Sequence, residues 1–223
     1  MAEFFDAFFN VRIILRYLPD LLLGMAVTLG LAVALTILGL ALGTALAMLR
    51  SYGFRLLNFF IVIFADVMRA LPPLMVIVLL YFGLPYSGIR LNGAVVTVIS
   101  LGLILAAFVE ELVWAGIRAL DKGQFEAARA SGLQHGQALA HVIVPQAVRL
   151  VLPALISRLI IMIKATSLAS VVAVPDLIAQ ASAALGFSSN ASPLFAASIG
   201  YLVLLVPFVV WGRRIEARYK WGK

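Results

Sequence analysis

Five long apolar runs constrain this chain more than any other feature: residues 21–49, 56–84, 93–117, 150–174 and 193–211. An α-helix rises about 1.5 Å per residue, so roughly 20 apolar residues cross the ~30 Å hydrocarbon core of a bilayer. Inside that core no water reaches the backbone, and a lone run satisfies its own amides and carbonyls only as a helix. The runs therefore predict an all-α integral membrane protein with five transmembrane helices. Composition agrees. Of 223 residues, 64% are hydrophobic and 12% charged, too few charges to coat a soluble domain of this size. No stretch reads as a linker, so residues 19–223 form one membrane domain behind an N-terminal segment, 1–18.

In that segment Phe4, Phe5, Phe8 and Phe9 recur at helical spacing, with Asp6 and Asn10 off their face. This pattern predicts an amphipathic helix lying in the membrane interface. Glu3, Asp6, Arg12 and Arg16 interrupt any apolar core of a cleavable signal peptide. Further on, Gly39 and Gly43 form a G-x-x-x-G that admits a close helix neighbour. Pro72 and Pro73 predict a kink near the middle of the second run, because proline removes an amide donor and crowds the preceding turn. Residues 175–192 form a nearly neutral loop with room for a short helix.

The formal net charge is +7. A basic balance can signal nucleic acid, but here the cations flank apolar runs, as positive-inside topology requires. Arg50, Arg55, Arg118, Lys122, Arg129, Arg149, Arg213, Arg214, Arg218, Lys220 and Lys223 fall on one side of a five-span chain. Arg12, Arg16 and Arg90 fall on the other. The N-terminus is therefore expected outside, and the C-terminus and the loop 118–149 in the cytoplasm. The chain has no cysteine, which excludes thiolate chemistry. His135 and His141 stand six apart with no third ligand nearby, which argues against a metal site.

That loop is the one long polar stretch between apolar runs. Residues 123–145 read GQFEAARASGLQHGQALAHVIVP, two short helical pieces joined at Gly132. Asp121 and Gln124 stand in capping-box register at the first piece, and Gly132 suits a left-handed residue ending it. No G-x-x-x-x-G-K-[ST] occurs, so this chain holds no phosphate cradle of that kind.

The loop resembles the cytoplasmic EAA loop of ABC import permeases: E-A-A, three residues, G, nine residues, then I-x-L-P. Here these are Glu126, Ala127, Ala128, Gly132 and a closing V-I-V-P that ends at Pro145. Outside the loop, Thr28-Leu29, DVMRALP at 66–72, YFGLP at 81–85, Lys122-Gly123-Gln124, PQAVR at 145–149 and KATSL at 164–168 are similar to the polar amino-acid branch of that family. Residues 108–117 look like its A-Y-x-A-E-x-x-R-G-G-I, with Glu111 and Gly116 in register. Ala70-Leu71, Val76, Trp114 and Ala165 depart from the pattern, each toward lower polarity.

The resemblance implies a type I importer permease that moves polar amino acids inward by alternating access. It implies two ABC ATPase subunits that bind ATP and Mg, this chain holding no cofactor itself. It also implies a second permease copy or paralogue, an extracytoplasmic solute-binding protein, and a bacterial inner-membrane location. Gly123, Gln124, Glu126, Ala127, Ala128, Gly132 and Pro145 would form the ATPase-coupling segment. The small alanines would dock closely, and Glu126 would offer a carboxylate to a partner cation.

Ionisable groups inside spans are costly and face a bundle interior or a wet cavity. Here they are Asp66, Arg69, Glu110, Glu111, Arg158 and Lys164. Asp66 and Arg69 share a helix face and can pair, whereas the adjacent Glu110 and Glu111 point apart. Two roles stand open for Arg69, Glu111 and Asp66. They line a substrate path and meet the ammonium and carboxylate of a zwitterion, or they brace the kinked helix against its neighbour. Arg158 and Lys164 are placed nearer the cytoplasmic end, within snorkelling reach of the surface. A different class is an ion-coupled carrier using Asp66, Glu110 or Glu111, against which the lack of an inverted repeat weighs.

Overall fold

Asn10 decides where the first membrane helix begins. In the computed structural model, which describes residues 2–218, helix α1 (Ala2–Phe9) stops there. The Asn10 side chain then caps α2 (Val11–Arg50) by accepting the Ile13 amide at 3.2 Å. This corrects the expected boundary at residue 18: α2 is continuous through Pro19, and only α1 remains as a separate terminal helix. At about 60 Å, α2 is twice as long as a bilayer core requires. α1 is tied down by the Ala191 amide donating to the Ala7 carbonyl at 3.0 Å, and by the Phe9 ring lying 4.5 Å from that of Phe195.

The second apolar run breaks rather than kinks. Helices α3 (Arg55–Ala70) and α4 (Pro73–Gly83) meet at an angle of 104°. The cause is local. A residue preceding proline is disfavoured in the α region, and Leu71 and Pro72 both precede one. Both are extended, with ψ of 135° and 134°. Among the described residues, four unbroken stretches are long and apolar enough to span a membrane, and this bent pair makes a fifth only if counted as one span.

Helix α5 (Gly93–Ala119) starts at an Asn92 cap and is the centre of the bundle, with Leu101, Leu105, Val109 and Val113 fully buried. Helix association in a bilayer rests on van der Waals contact, because lipid tails are as apolar as leucine. The glycines of α2 serve this purpose. A methyl group at Gly39 would lie 2.5 Å from the Leu105 side chain, and one at Gly43 2.5 Å from the Ala106 carbonyl. The G-x-x-x-G motif is thus used inside the chain, to seat α2 on α5.

After α6 (Lys122–Ala130), the chain re-enters the bundle without a second separate piece. α7 (His135–Ala138), a π turn (Leu139–Ile143) and α8 (Val144–Ala165) follow one another without a gap. The expectation of two short separate helices holds only for α6. Pro145 does not end a helix. It sits in the first turn of α8, directly after the widened turn, where its missing amide is tolerated. A 3₁₀ stretch (Thr166–Val172), the short α9 (Leu177–Ser188) and α10 (Ser192–Arg218) complete the fold. Lys220 and Lys223, counted above on the basic side, lie outside the described residues.

Candidate functional site

Helix α6 is a short, independently capped rod. The Asp121 carboxylate accepts the Gly123 amide at 2.6 Å, at the end where the helix dipole favours an anion. The reciprocal capping bond expected of Gln124 is not made. Gln124 instead accepts from the Gln146 side chain at 3.4 Å, across to α8. At the other end Gly132 has φ of +88°, the left-handed residue the sequence called for. The Gly132 amide donates to the Arg129 carbonyl at 3.0 Å and the Leu133 amide to the Ala128 carbonyl at 3.3 Å, a complete Schellman closure. Gly123, Gln124, Glu126 and Ala127 are exposed, as is Pro145. Ala128 is buried against its own chain, so of the two alanines only Ala127 is presented outward.

Behind α6 three elements meet at one ring. His135, first residue of α7, has its ring centroid 4.5 Å from that of Tyr52, just past the end of α2, and 4.9 Å from that of Phe125 on α6. The His135 Nε2 is buried and finds no hydrogen-bond partner among the described residues. His135 is therefore held there by ring contacts. A cleft of about 470 Å³ opens beside it, lined in part by Trp114, Asp121, Glu126 and His135. His141 lies elsewhere, its Nδ1 3.0 Å from the Gln137 carbonyl.

The second cluster gathers at the break after α3. Arg69 donates from Nη2 to Asp66 Oδ1 at 2.5 Å and from Nε to the Ala65 carbonyl at 3.1 Å, and Nη1 pairs with Glu111 of α5. One guanidinium thus joins all three residues singled out for a substrate path. It sits about 21 Å along α3 from Arg55. The two carboxylates stay open, their side chains 62% and 51% exposed.

Glu110, one residue before, faces the other way and is fully buried. Its partner is one that sequence reasoning had counted only among the cations flanking the spans: Arg50, at the last residue of α2, 2.8 Å from Glu110 Oε1. The Arg50 guanidinium also lies over Trp114, 5.0 Å from the ring centroid. Trp114 stands where the resembled pattern has arginine, and a second cation there would compete for Glu110. Each carboxylate of the ion-coupled alternative thus has an arginine beside it, Glu110 through Oε1 to Arg50, and Asp66 and Glu111 to Arg69.

Arg158 lies about 21 Å and Lys164 about 30 Å along α8 from Val144, Lys164 in the last turn. Arg158 lies over the Phe108 ring at 4.3 Å. Sequence reasoning also passed over Asp176, in the linker before α9. It is fully buried, accepts the Ala179 amide at 2.8 Å, and leaves Oδ2 without a partner among the described residues. Burial pushes its carboxyl up to about 6, against backbone hydrogen bonds that pull it down. Beside it Thr28 donates to the Gly24 carbonyl at 3.0 Å and accepts the Leu177 amide at 3.1 Å, pinning α9 to α2.

Comparison with known proteins accounts for this arrangement. Residues 37–221 match the family described as the inner membrane component of binding-protein-dependent transport systems. A probable glutamine ABC transporter permease, GlnM of Bacillus subtilis, is 35% identical over 181 residues, covering 79% of this chain and 82% of the relative. The arginine transport system permease ArtQ of the same organism is 33% identical over 205 residues, covering 91% and 94%. A crystal structure of an amino acid ABC transporter with histidines superposes with a TM-score of 0.80 at 30% identity, over 92% of this chain and 96% of the other. The methionine transporter MetNI, at 18% identity and a TM-score of 0.64, shares the fold. Proteins of this kind are membrane subunits without catalytic activity, the ATPase being a separate subunit. The chain belongs to the binding-protein-dependent transport inner membrane component family and is the permease component of an amino-acid ABC importer.

Proposed function

We propose that this permease passes polar, zwitterionic amino acids inward across the bacterial inner membrane by alternating access, driven by two ATPase subunits seated on α6. The N-terminus lies outside, the C-terminus inside, and the bent α3–α4 pair counts as the second of five spans. An extracytoplasmic binding protein delivers the substrate. The observation that carries this reading is the open Asp66–Arg69–Glu111 cluster at membrane depth. Half-exposed carboxylates cannot face lipid without a large penalty, so that face lines a wet path or meets a second permease copy. Arg69 is suited to hold a substrate carboxylate, and Glu111 and Asp66 an ammonium. Because both carboxylates pair with Arg69, substrate must compete with an existing ion pair, and binding can thereby loosen the α3–α5 contact.

α6 supports the other half of the proposal. Its two caps keep it rigid, it presents Glu126 and Ala127 outward, and nothing in this chain can use ATP directly. The test is uptake by the complex reconstituted in vesicles with ATP inside. Gly132→Asp and Glu126→Lys are expected to leave the chain inserted while uptake per ATP hydrolysed collapses. Normal coupled uptake in both variants would remove α6 from the mechanism.

A further inference from the structure

Resting on that account of α6, we infer that the Tyr52–His135–Phe125 ring stack passes its displacement to the membrane helices, with His135 as the positioning residue. α6 has few other holds on the bundle: the long Gln124–Gln146 hydrogen bond and the buried methyl of Ala128. Phe125 projects from α6 against one side of His135, and Tyr52 lies against the same ring. The contact extends one residue further, since a methyl group at Gly136 would come 2.9 Å from the Tyr52 hydroxyl. Tyr52 follows Arg50 by two residues, and Arg50 is locked to buried Glu110 on the central helix α5. A push on α6 therefore meets the foot of the fourth span at His135 and the end of α2 at Tyr52. From Arg50 it reaches α5, which also carries Glu111 of the substrate cluster.

Rings in edge or tilted contact transmit displacement because packed groups shift between discrete arrangements and do not stretch. Nε2 of His135 has no hydrogen-bond partner among the described residues, so its contacts to Tyr52 and Phe125 are made by the ring itself. That yields a distinctive expectation: phenylalanine should serve in its place, and an aliphatic side chain of similar bulk should not.

The test uses the whole complex in vesicles, with uptake per ATP hydrolysed, assembly and thermal stability read together. Tyr52→Leu and His135→Leu are each expected to lower uptake per ATP by about tenfold in complexes that still assemble and hydrolyse ATP. His135→Phe should stay within about twofold of the parent. Tyr52→Leu combined with His135→Leu should be no worse than either alone, since residues acting through one contact are non-additive. Unchanged coupling in both leucine variants, additive losses, or failure to assemble would each overturn the inference. Gly132→Asp, run in parallel, separates the two levels. If it uncouples and the leucine variants do not, the stack is wrong and the account of α6 stands. If none uncouples, both fall.

Discussion

Glu110 and Glu111 are neighbours in the chain and opposites in the fold. Glu110 is sealed into the bundle and pairs with the partly exposed Arg50, at the junction of α2 and α5. Glu111, rotated by about 100° on the same helix, is half exposed and shares Arg69 with Asp66. Both are arginine–carboxylate contacts between two helices, so type and partner do not distinguish them. Solvent access does. A buried carboxylate cannot exchange its partner without stranding a charge, whereas an exposed one can release its partner to an incoming group. The first is suited to holding helices together, and the second is open to the role proposed for it above.

The strongest way to break this contrast is Arg50→Ala. It strands a buried carboxylate, and loss of one partner from such a pair costs about 3–5 kcal/mol. Unfolding in mild detergent should show that loss, and Glu110→Gln in the same background should recover most of it. A cost below about 1 kcal/mol, the range of exposed pairs, would make the two clusters equivalent.

Arg69→Ala and Glu111→Gln probe the open side. Uptake should fall at least tenfold, about 1.4 kcal/mol in barrier, with stability changed by no more than about 1 kcal/mol. Binding of the ATPase subunits should persist. Assembly lost along with uptake would assign this cluster to bracing instead of transport.

Asp176 sharpens the comparison with the smallest effect. It is as buried as Glu110 but has no arginine, and its carboxyl is raised from 3.8 to about 6. The folded state thus favours the protonated form more than the unfolded chain does. Its contribution to stability is full below pH ~4 and is lost as pH rises through about 6. Thermal unfolding between those values should show the decline, and Asp176→Asn should flatten it. An unchanged slope in the asparagine variant would assign the pH dependence to another group.

Helical class, the end of α6 at Gly132 and the short helix before α10 were legible because each depends on a local pattern or a single backbone conformation. The Asp66–Arg69 pair was legible for the same reason, being three residues apart on one helix. The second run was read only in part. Pro72-Pro73 announces an interruption, but the size of the bend depends on where α4 finds packing against α5. Pro145 was misread as a helix end because a π turn lets the chain pass a proline and continue.

Tertiary structure alone joined Arg50 to Glu110 across 60 positions, Arg69 to Glu111, and Tyr52 to His135 and Phe125. Local rules reach only as far as the turn of a helix, and these contacts bring together residues tens of positions apart. Sequence by itself determined that the chain is a helical membrane protein with an importer's loop, because apolar length and fixed motif spacing are properties of the chain. Which charges are sealed and which stay open was decided by how α2, α3 and α8 pack around α5, since burial is a property of neighbours.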